Sequence, residues 1–383
     1  MNLKEIINNK INSNEKKRIS FSEYMTEVLY NNKFGYYSSE NFKIGKEGDF
    51  FTASSLGSYF GELISEQLHQ IWKILGNPKP FSFIEMGGGT GIFAKDILNF
   101  ISNKYPDFFE NFSYIFIEKS QYLIEQQKGN LREFNNTINW KTYSDIQDSS
   151  LIGCAFSNEL IDAFGVHKVI YQEGKLKEIY VTLSSDNQLK EISDELSTSE
   201  ILNYFELNNI TFTQDEYPNN YYTEVNLEAK NWLKNITSKL KKGYLITIDY
   251  GYKSKKYYHP QRYQGTLKCY YQHQHHDNPY INLGKQDITT HVNFTALQLW
   301  GKELGLTNIN LTQQGLFLMA LGLGDRLAQL SSEKINIQEL FNRRDALHQL
   351  INPQGLGGFK VLIQSKNLTS QQQKISLKGL NCV

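Results

Sequence analysis

The sequence predicts an α/β fold in which parallel strands are joined by crossover helices and interrupted by an antiparallel insertion. Three observations predict it. From residue 81 onward, short apolar runs alternate with helical patterns, which is the rhythm of βαβ units. The first run, "FSFIEM", leads directly into four glycines, Gly87, Gly88, Gly89 and Gly91, and then into a helical pattern. Between residues 166 and 195 the rhythm breaks into two or three strand-like stretches around the turn "EGK", which reads as antiparallel pairing.

The elements follow in order. Residues 1–80 form an N-terminal helical region placed to act as a lid. Its first 18 residues are polar, a short helix or a frayed lead-in. Phe21, Tyr24, Met25, Val28 and Leu29 then recur at helical spacing, with Ser20 or Ser22 available as the cap. The stretch 33–55 is rich in glycine and aromatics and has no period. Leu56, Tyr59, Phe60, Leu63, Ile64, Leu68, Ile71, Trp72 and Leu75 trace a long amphipathic helix that "GNPKP" stops.

Residues 81–165 hold the strand "FSFIEM", the helix "IFAKDILNFI", the strand "FSYIFIEKS", a second helix over 120–133, and a later strand ending near Ser157. Residues 166–225 are the antiparallel insertion. Residues 226–365 return to the alternation: a helix in "NLEAKNWLKNITSKLKKG", the strand "YLITIDYG", a Tyr- and His-rich loop over 251–291, the helix "FTALQLWGKELGL" and the late strand "FKVLIQSK". The polar segment 366–383 is expected to be a flexible tail.

Composition narrows the functional classes. Lys plus Arg equals Asp plus Glu at 40 each, and no dense basic block occurs. That balance argues against steering toward nucleic acid or an anionic membrane. No apolar run approaches the roughly 20 residues of a membrane helix, so no membrane insertion is expected. Cys154, Cys269 and Cys382 are far apart, with no CxxC, which suits a reducing compartment. The N-terminus lacks an apolar signal core and carries Glu5 and Glu15, so the expected location is the cytoplasm rather than the mitochondrial matrix.

Glycines after a buried strand let the backbone turn sharply and lie against a ligand at the strand's carboxyl end. The spacing excludes a dinucleotide fingerprint: counting from Gly87 or Gly89, the sixth position is Ile92 or Ala94, and no GK[ST] follows for a P-loop. What remains is E-x-G-x-G-x-G, led by Glu85. A carboxylate there repels pyrophosphate and suits a cationic ligand. S-adenosyl-L-methionine carries a sulfonium and an ammonium and no phosphate. Glu118, ending the next strand, is placed for ribose hydroxyls. The alternative reading of the glycines is a tight turn without a ligand.

At this point the chain resembles the class I methyltransferases, and more specifically the bacterial and mitochondrial family that includes the complex I assembly arginine methyltransferase. The stretches that carry the resemblance include "ISFSEYMTEVLYNNKFGYY", "GDFFTAS", "FIEMGGGTG", "SNELIDAFGVHKV", "ITIDYGY", "GTLKCYYQHQHHDNPY", "GKQDITTHVNF" and "INPQGLGGFKVL". The resemblance implies a Rossmann-like, seven-stranded methyltransferase sheet with a substrate-side insertion. It also implies methylation of a protein arginine in a respiratory NADH dehydrogenase-type complex. The sequence departs from the family's usual pattern in two places. Thr52-Ala53-Ser54-Ser55 stands where T-S-P-E is usual, and Gly165 stands where N-E-x-x-D-A-x-P-V has proline.

Arginine is a difficult nucleophile because its pKa exceeds about 12. An enzyme must orient the guanidinium with carboxylates and accept a proton. Asn158, Glu159 and Asp162, after the strand ending near Ser157, are the first candidates. Glu159 and Asp162 share a face if they lie on a helical turn; a solvated helix N-terminus is the plainer alternative. His167 is a candidate base or a packed histidine. The cluster "QHQHH" lacks the partners of a zinc site, and no metal is expected. The family pattern matches His273 as a substrate contact, and Asp287 can face the cleft or cap a turn. Two other readings stay open: an assembly factor that kept the fold without catalysis, and a small-molecule methyltransferase. The sequence is compatible with a homodimer.

Overall fold

The computed structural model describes residues 2–38, 53–272, 274–330 and 336–381; the side chains of Ser54 and Ser55 fall outside that description. Among the described residues the largest sheet has seven strands. We number them β1 (Phe81–Met86), β2 (Phe112–Ile117), β3 (Ile138–Trp140), β4 (Leu151–Asn158), β5 (Leu240–Asp249), β6 (Thr307–Gln313) and β7 (Lys360–Lys366). Their spatial order is 3-2-1-4-5-7-6. Only β7 is antiparallel to its neighbours, β5 and β6.

β1 is buried throughout because helices cover both faces of the sheet. Its side chains alternate between two cores. Phe81 and Phe83 join Phe60, Leu63 and Phe93 on one face; Ile84 and Met86 join Trp232, Leu297 and Leu362 on the other. The strand order reverses between β1 and β4, which pair in parallel from Ser82↔Gly153 to Met86↔Ser157. A crevice therefore opens at their carboxyl ends, where chain connections leave in opposite directions.

The insertion contains the strands His167–Gln172, Lys175–Leu183, Leu189–Asp194 and Tyr221–Val225. Glu173 and Gly174 both have positive φ, 53° and 76°, as a two-residue hairpin turn requires. The N-terminal region is not purely helical. Arg18–Ser20 pairs with Tyr180–Thr182 of the insertion, and helix Phe21–Tyr30 follows at once, with Ser20 and Glu23 forming its capping box. Loop 251–291 is more ordered than its composition suggests: Lys268–Tyr271 pairs with Asp287–Thr289 and Gln274–His276.

The segment 366–381 is packed rather than loose. Gln67 and Gln70 on helix Tyr59–Ile74 accept hydrogen bonds from the Gly379 and Lys378 amides at 2.9 and 2.6 Å, and Leu377 is buried. Its polar side chains satisfy partners on that helix, which a hydropathy reading takes for solvation.

Gly165 has a packing reason. A Cβ there would lie 2.4 Å from Thr26 Oγ1 and 2.6 Å from the Ser22 carbonyl oxygen. The helix Phe21–Tyr30 crosses too close for any side chain. Gly165→Ala is expected to cost about 1–3 kcal/mol through overpacking. Chemical denaturation would show the lowered midpoint; an unchanged midpoint would mean that this crossing is loose.

Candidate active site

A cavity of about 1940 Å³ occupies the crevice at the carboxyl ends of β1, β2, β4 and β5. Its glycine wall is preorganised. Gly87, Gly89 and Gly91 all have left-handed φ, 73°, 52° and 83°. The Gly87 amide donates to the Ile117 carbonyl at 3.1 Å, and Gly91 caps helix Ile92–Lys104. A Cβ at Gly88 would lie 2.4 Å from the Phe116 ring and 2.7 Å from Glu85 Oε2. Two side chains that sequence reasoning missed hold this loop. Gln127, fully buried, donates to the Gly89 carbonyl at 2.8 Å, and Asn130 donates to the Thr90 carbonyl at 2.9 Å. The Trp140 indole fixes Gln127 from β3.

Glu85 sits beneath the loop, 5% exposed, and accepts a hydrogen bond from the Tyr114 hydroxyl at 2.6 Å. Burial pushes its pKa up to about 8; Tyr114 opposes the shift and the Glu118 charge adds to it. Glu118 lines the cavity at the end of β2 and accepts the Lys119 and Ser120 amides at 2.8 and 2.9 Å.

The floor opposite is acidic. Residues 159–165 form turns rather than a helix, and Glu159 has φ 49°. The shared helical face expected of Glu159 and Asp162 is therefore absent, yet both line the cavity with Asn158. Asp249, ending β5, explains the turn: its carboxylate accepts the Ile161 and Asp162 amides at 3.0 and 3.4 Å and the Tyr250 amide at 2.9 Å. Burial and the neighbouring acids Asp162 and Glu159 hold Asp249 well above the usual carboxylate range. Burial also pushes Glu159 up to about 8 and Asp162 up to about 6.

Hydrogen bonding on this floor is incomplete. Asn158 donates to Glu159 at 3.0 Å, and Tyr250 donates to Asp162 Oδ2 at 2.8 Å. Asn158 Oδ1 and Asp162 Oδ1 are buried with no partner among the described residues. The Ala53 amide reaches the Glu159 carboxylate, so Ala53 meets the site.

Asp287 is buried at the cavity wall and accepts from the Tyr37 hydroxyl at 2.8 Å. Tyr37 also stacks on Tyr30, with ring centroids 5.2 Å apart, so the N-terminal region closes over the acids. His291, another residue missed, lines the cavity between Tyr250 and Tyr252. Burial pushes it down to about 4, so it is neutral at pH 7.

His167 is not brought to the cavity. It lies on the insertion, its Nδ1 2.8 Å from the buried Glu178, which also accepts the Ser197 amide. The pair ties the insertion together. His273 lies outside the described residues.

The raised Glu85 has a pH consequence. In the unfolded chain its pKa returns to the ordinary carboxylate range, so between that range and about 8 the folded chain binds more protons. Its contribution to stability is full on the acid side and is lost as pH rises through about 8. Glu85→Gln should flatten the fall in melting temperature between about pH 5 and pH 8 relative to wild type. Parallel curves for the two proteins would mean that Glu85 is ionised throughout.

The cavity fits S-adenosyl-L-methionine: the glycine wall admits close backbone contact, and Glu85 and Glu118 end adjacent strands. The comparisons agree. Residues 63–312 match the family model of S-adenosyl-L-methionine-dependent methyltransferases. A Drosophila melanogaster protein named as a mitochondrial protein arginine methyltransferase NDUFAF7 homolog is 27% identical over 371 residues, covering 88% of this chain and 79% of the fly protein. The human mitochondrial protein arginine methyltransferase NDUFAF7 is 27% identical over 371 residues, covering 88% of this chain and 78% of its own. A Burkholderia thailandensis crystal structure bound to S-adenosyl-homocysteine matches with a TM-score of 0.86 at 27% identity, covering 99% of this chain and 94% of that one. With the matched region spanning most of the sheet and both walls of the cavity, the chain belongs to the S-adenosyl-L-methionine-dependent methyltransferase family.

Proposed function

We propose that the protein methylates an arginine side chain of another protein. The observation that carries this reading is the acidic floor, where Asn158 Oδ1 and Asp162 Oδ1 find no donor among the described residues beside the cavity-lining Glu159. A guanidinium offers five N–H donors in a planar fork and one positive charge, which is what such a floor lacks. The relatives named as protein arginine methyltransferases support the same substrate class.

Gly87–Gly91, Glu85 and Glu118 would hold the cofactor, which when bound supplies the methyl group on a sulfonium. Glu159 and Asp162 orient the guanidinium toward it and favour the charged, aligned substrate. Transfer releases one proton from the guanidinium nitrogen. Glu159, ionised by the arriving cation, takes that proton at its carboxylate oxygen and returns to the neutral form that burial favours. Tyr30 and Tyr37 exclude water from above. The protein partner we propose is a subunit of a respiratory NADH dehydrogenase-type complex, as the sequence resemblance implies.

The test is transfer from methyl-labelled S-adenosyl-L-methionine into a desalted protein extract, followed by acid hydrolysis and amino-acid analysis. Label in methylated arginine is expected. No label in that protein, with label in small molecules when the extract is used without desalting, would replace this reading with the small-molecule one.

A further inference from the structure

Beside the acidic floor lies a region of opposite charge. A second depression, about 550 Å³, is lined by Lys256, His259, Arg262 and the backbone-rich turn 263–265, and it shares Lys256 with the main cavity. Among the described residues no carboxylate pairs with Lys256 or Arg262. Arg262 Nε is buried, with no hydrogen-bond partner among the described residues. The two cations instead converge on one ring: the Arg262 guanidinium carbon and Lys256 Nζ each lie 4.6 Å from the centroid of Tyr252. Tyr252 in turn stacks on His291 at 5.0 Å and 8°.

The turn carrying Arg262 is built, not loose. The Arg262 amide donates to the His259 carbonyl at 2.8 Å, and the Gly265 amide donates back to the Arg262 carbonyl at 3.1 Å. Glu224, buried, accepts the Thr266 amide at 3.0 Å and the Leu267 amide at 3.2 Å. Gly265 has φ 74°, and a Cβ there would lie 2.1 Å from Glu224 Oε1. Glu224 therefore spends its charge on the backbone and leaves Arg262 uncompensated. Lys360, on the cavity wall, is held below the usual lysine range first by burial and then by the Lys256 charge.

We propose that the Lys256–Arg262 depression is a second substrate subsite that takes an acidic side chain, Asp or Glu, close in sequence to the methyl-accepting arginine. Paired cations on an aromatic platform suit a carboxylate, with Arg262 offering two parallel N–H bonds. The acidic floor takes the arginine and the basic depression takes the neighbouring acid, so the charge pattern across the cavity selects both the residue and its context. This inference rests on the arginine reading.

Three capped peptides test it by calorimetry on the full chain saturated with S-adenosyl-homocysteine. One carries a single arginine flanked by glutamates. The second has those glutamates replaced by glutamines. The third keeps the glutamates and has citrulline for arginine. On wild type the first should bind about tenfold more tightly than the second. In a Lys256→Gln, Arg262→Gln variant with an unchanged melting temperature, that gap should shrink to within about twofold. Equal binding of the first two peptides to wild type, or a gap that survives in the variant, overturns the subsite and leaves the arginine reading intact. Equal binding of the first and third peptides overturns the arginine reading itself, and binding of no peptide overturns both.

Discussion

Gly87→Val is expected to weaken S-adenosyl-homocysteine binding by about a hundredfold or more while leaving the sheet folded. Two costs add. A β-branched residue at φ 73° is strained by about 1–3 kcal/mol. Its Cβ would also sit 2.7 Å from Leu160 Cδ1, pushing either that side chain or the loop into the space where the backbone must approach the ligand. Because Leu160 follows Glu159, the disturbance also reaches the acidic floor. Calorimetric titration of wild type and variant measures the effect, with circular dichroism as the folding control. Affinity within about threefold of wild type would mean that the loop does not contact the cofactor.

Glu159→Gln is expected to separate binding from transfer. The substitution keeps the shape and the hydrogen-bonding reach from Asn158 but removes the charge that faces the guanidinium and accepts its proton. Turnover on a methyl-accepting protein should fall by about a hundred- to a thousandfold. Cofactor affinity should change little. Relieving a buried carboxyl held up at about 8 should also raise stability on the alkaline side. Unchanged turnover would remove Glu159 from the reaction and leave it as a structural partner of Asn158 and Ala53.

The sheet was legible where apolar runs are long. β1, β2, β4 and β5 are mostly apolar because both of their faces are covered, and each appears in the sequence as a short run between turns. β6, "TNINLTQ", does not, because an edge strand leaves most of its side chains exposed or half-buried. The glycine loop could be read in full, since only a ligand-facing or tightly turning backbone concentrates glycine after a buried strand. Its supports could not: Gln127 and Trp140 are ordinary residues whose role depends on β3 and the preceding helix meeting the loop.

The acidic floor was legible in its residues and not in its geometry. Glu159 and Asp162 converge through a turn pinned by Asp249, 88 positions from Ile161, and no local spacing encodes that. Tyr30, Tyr37 and Tyr250 lie within stretches that carry the family resemblance, so a signal for them existed, but aromatic residues there read equally well as core. His167 drew attention as a histidine after an acidic motif; its strand carries it away from the cavity and onto Glu178.

The count of protons released when the cofactor binds reads the protonation of these acids directly. Buried acids, Glu85 and Glu159, face the positive charges the cavity receives. Calorimetry at pH 7 in two buffers of different ionisation enthalpy gives that count for S-adenosyl-L-methionine, with its sulfonium, and for S-adenosyl-homocysteine, without it. Acids held at about 8 are mostly neutral at that pH and ionise when a cation arrives. S-adenosyl-L-methionine is expected to release about one proton more than S-adenosyl-homocysteine. An equal count for the two ligands would contradict it.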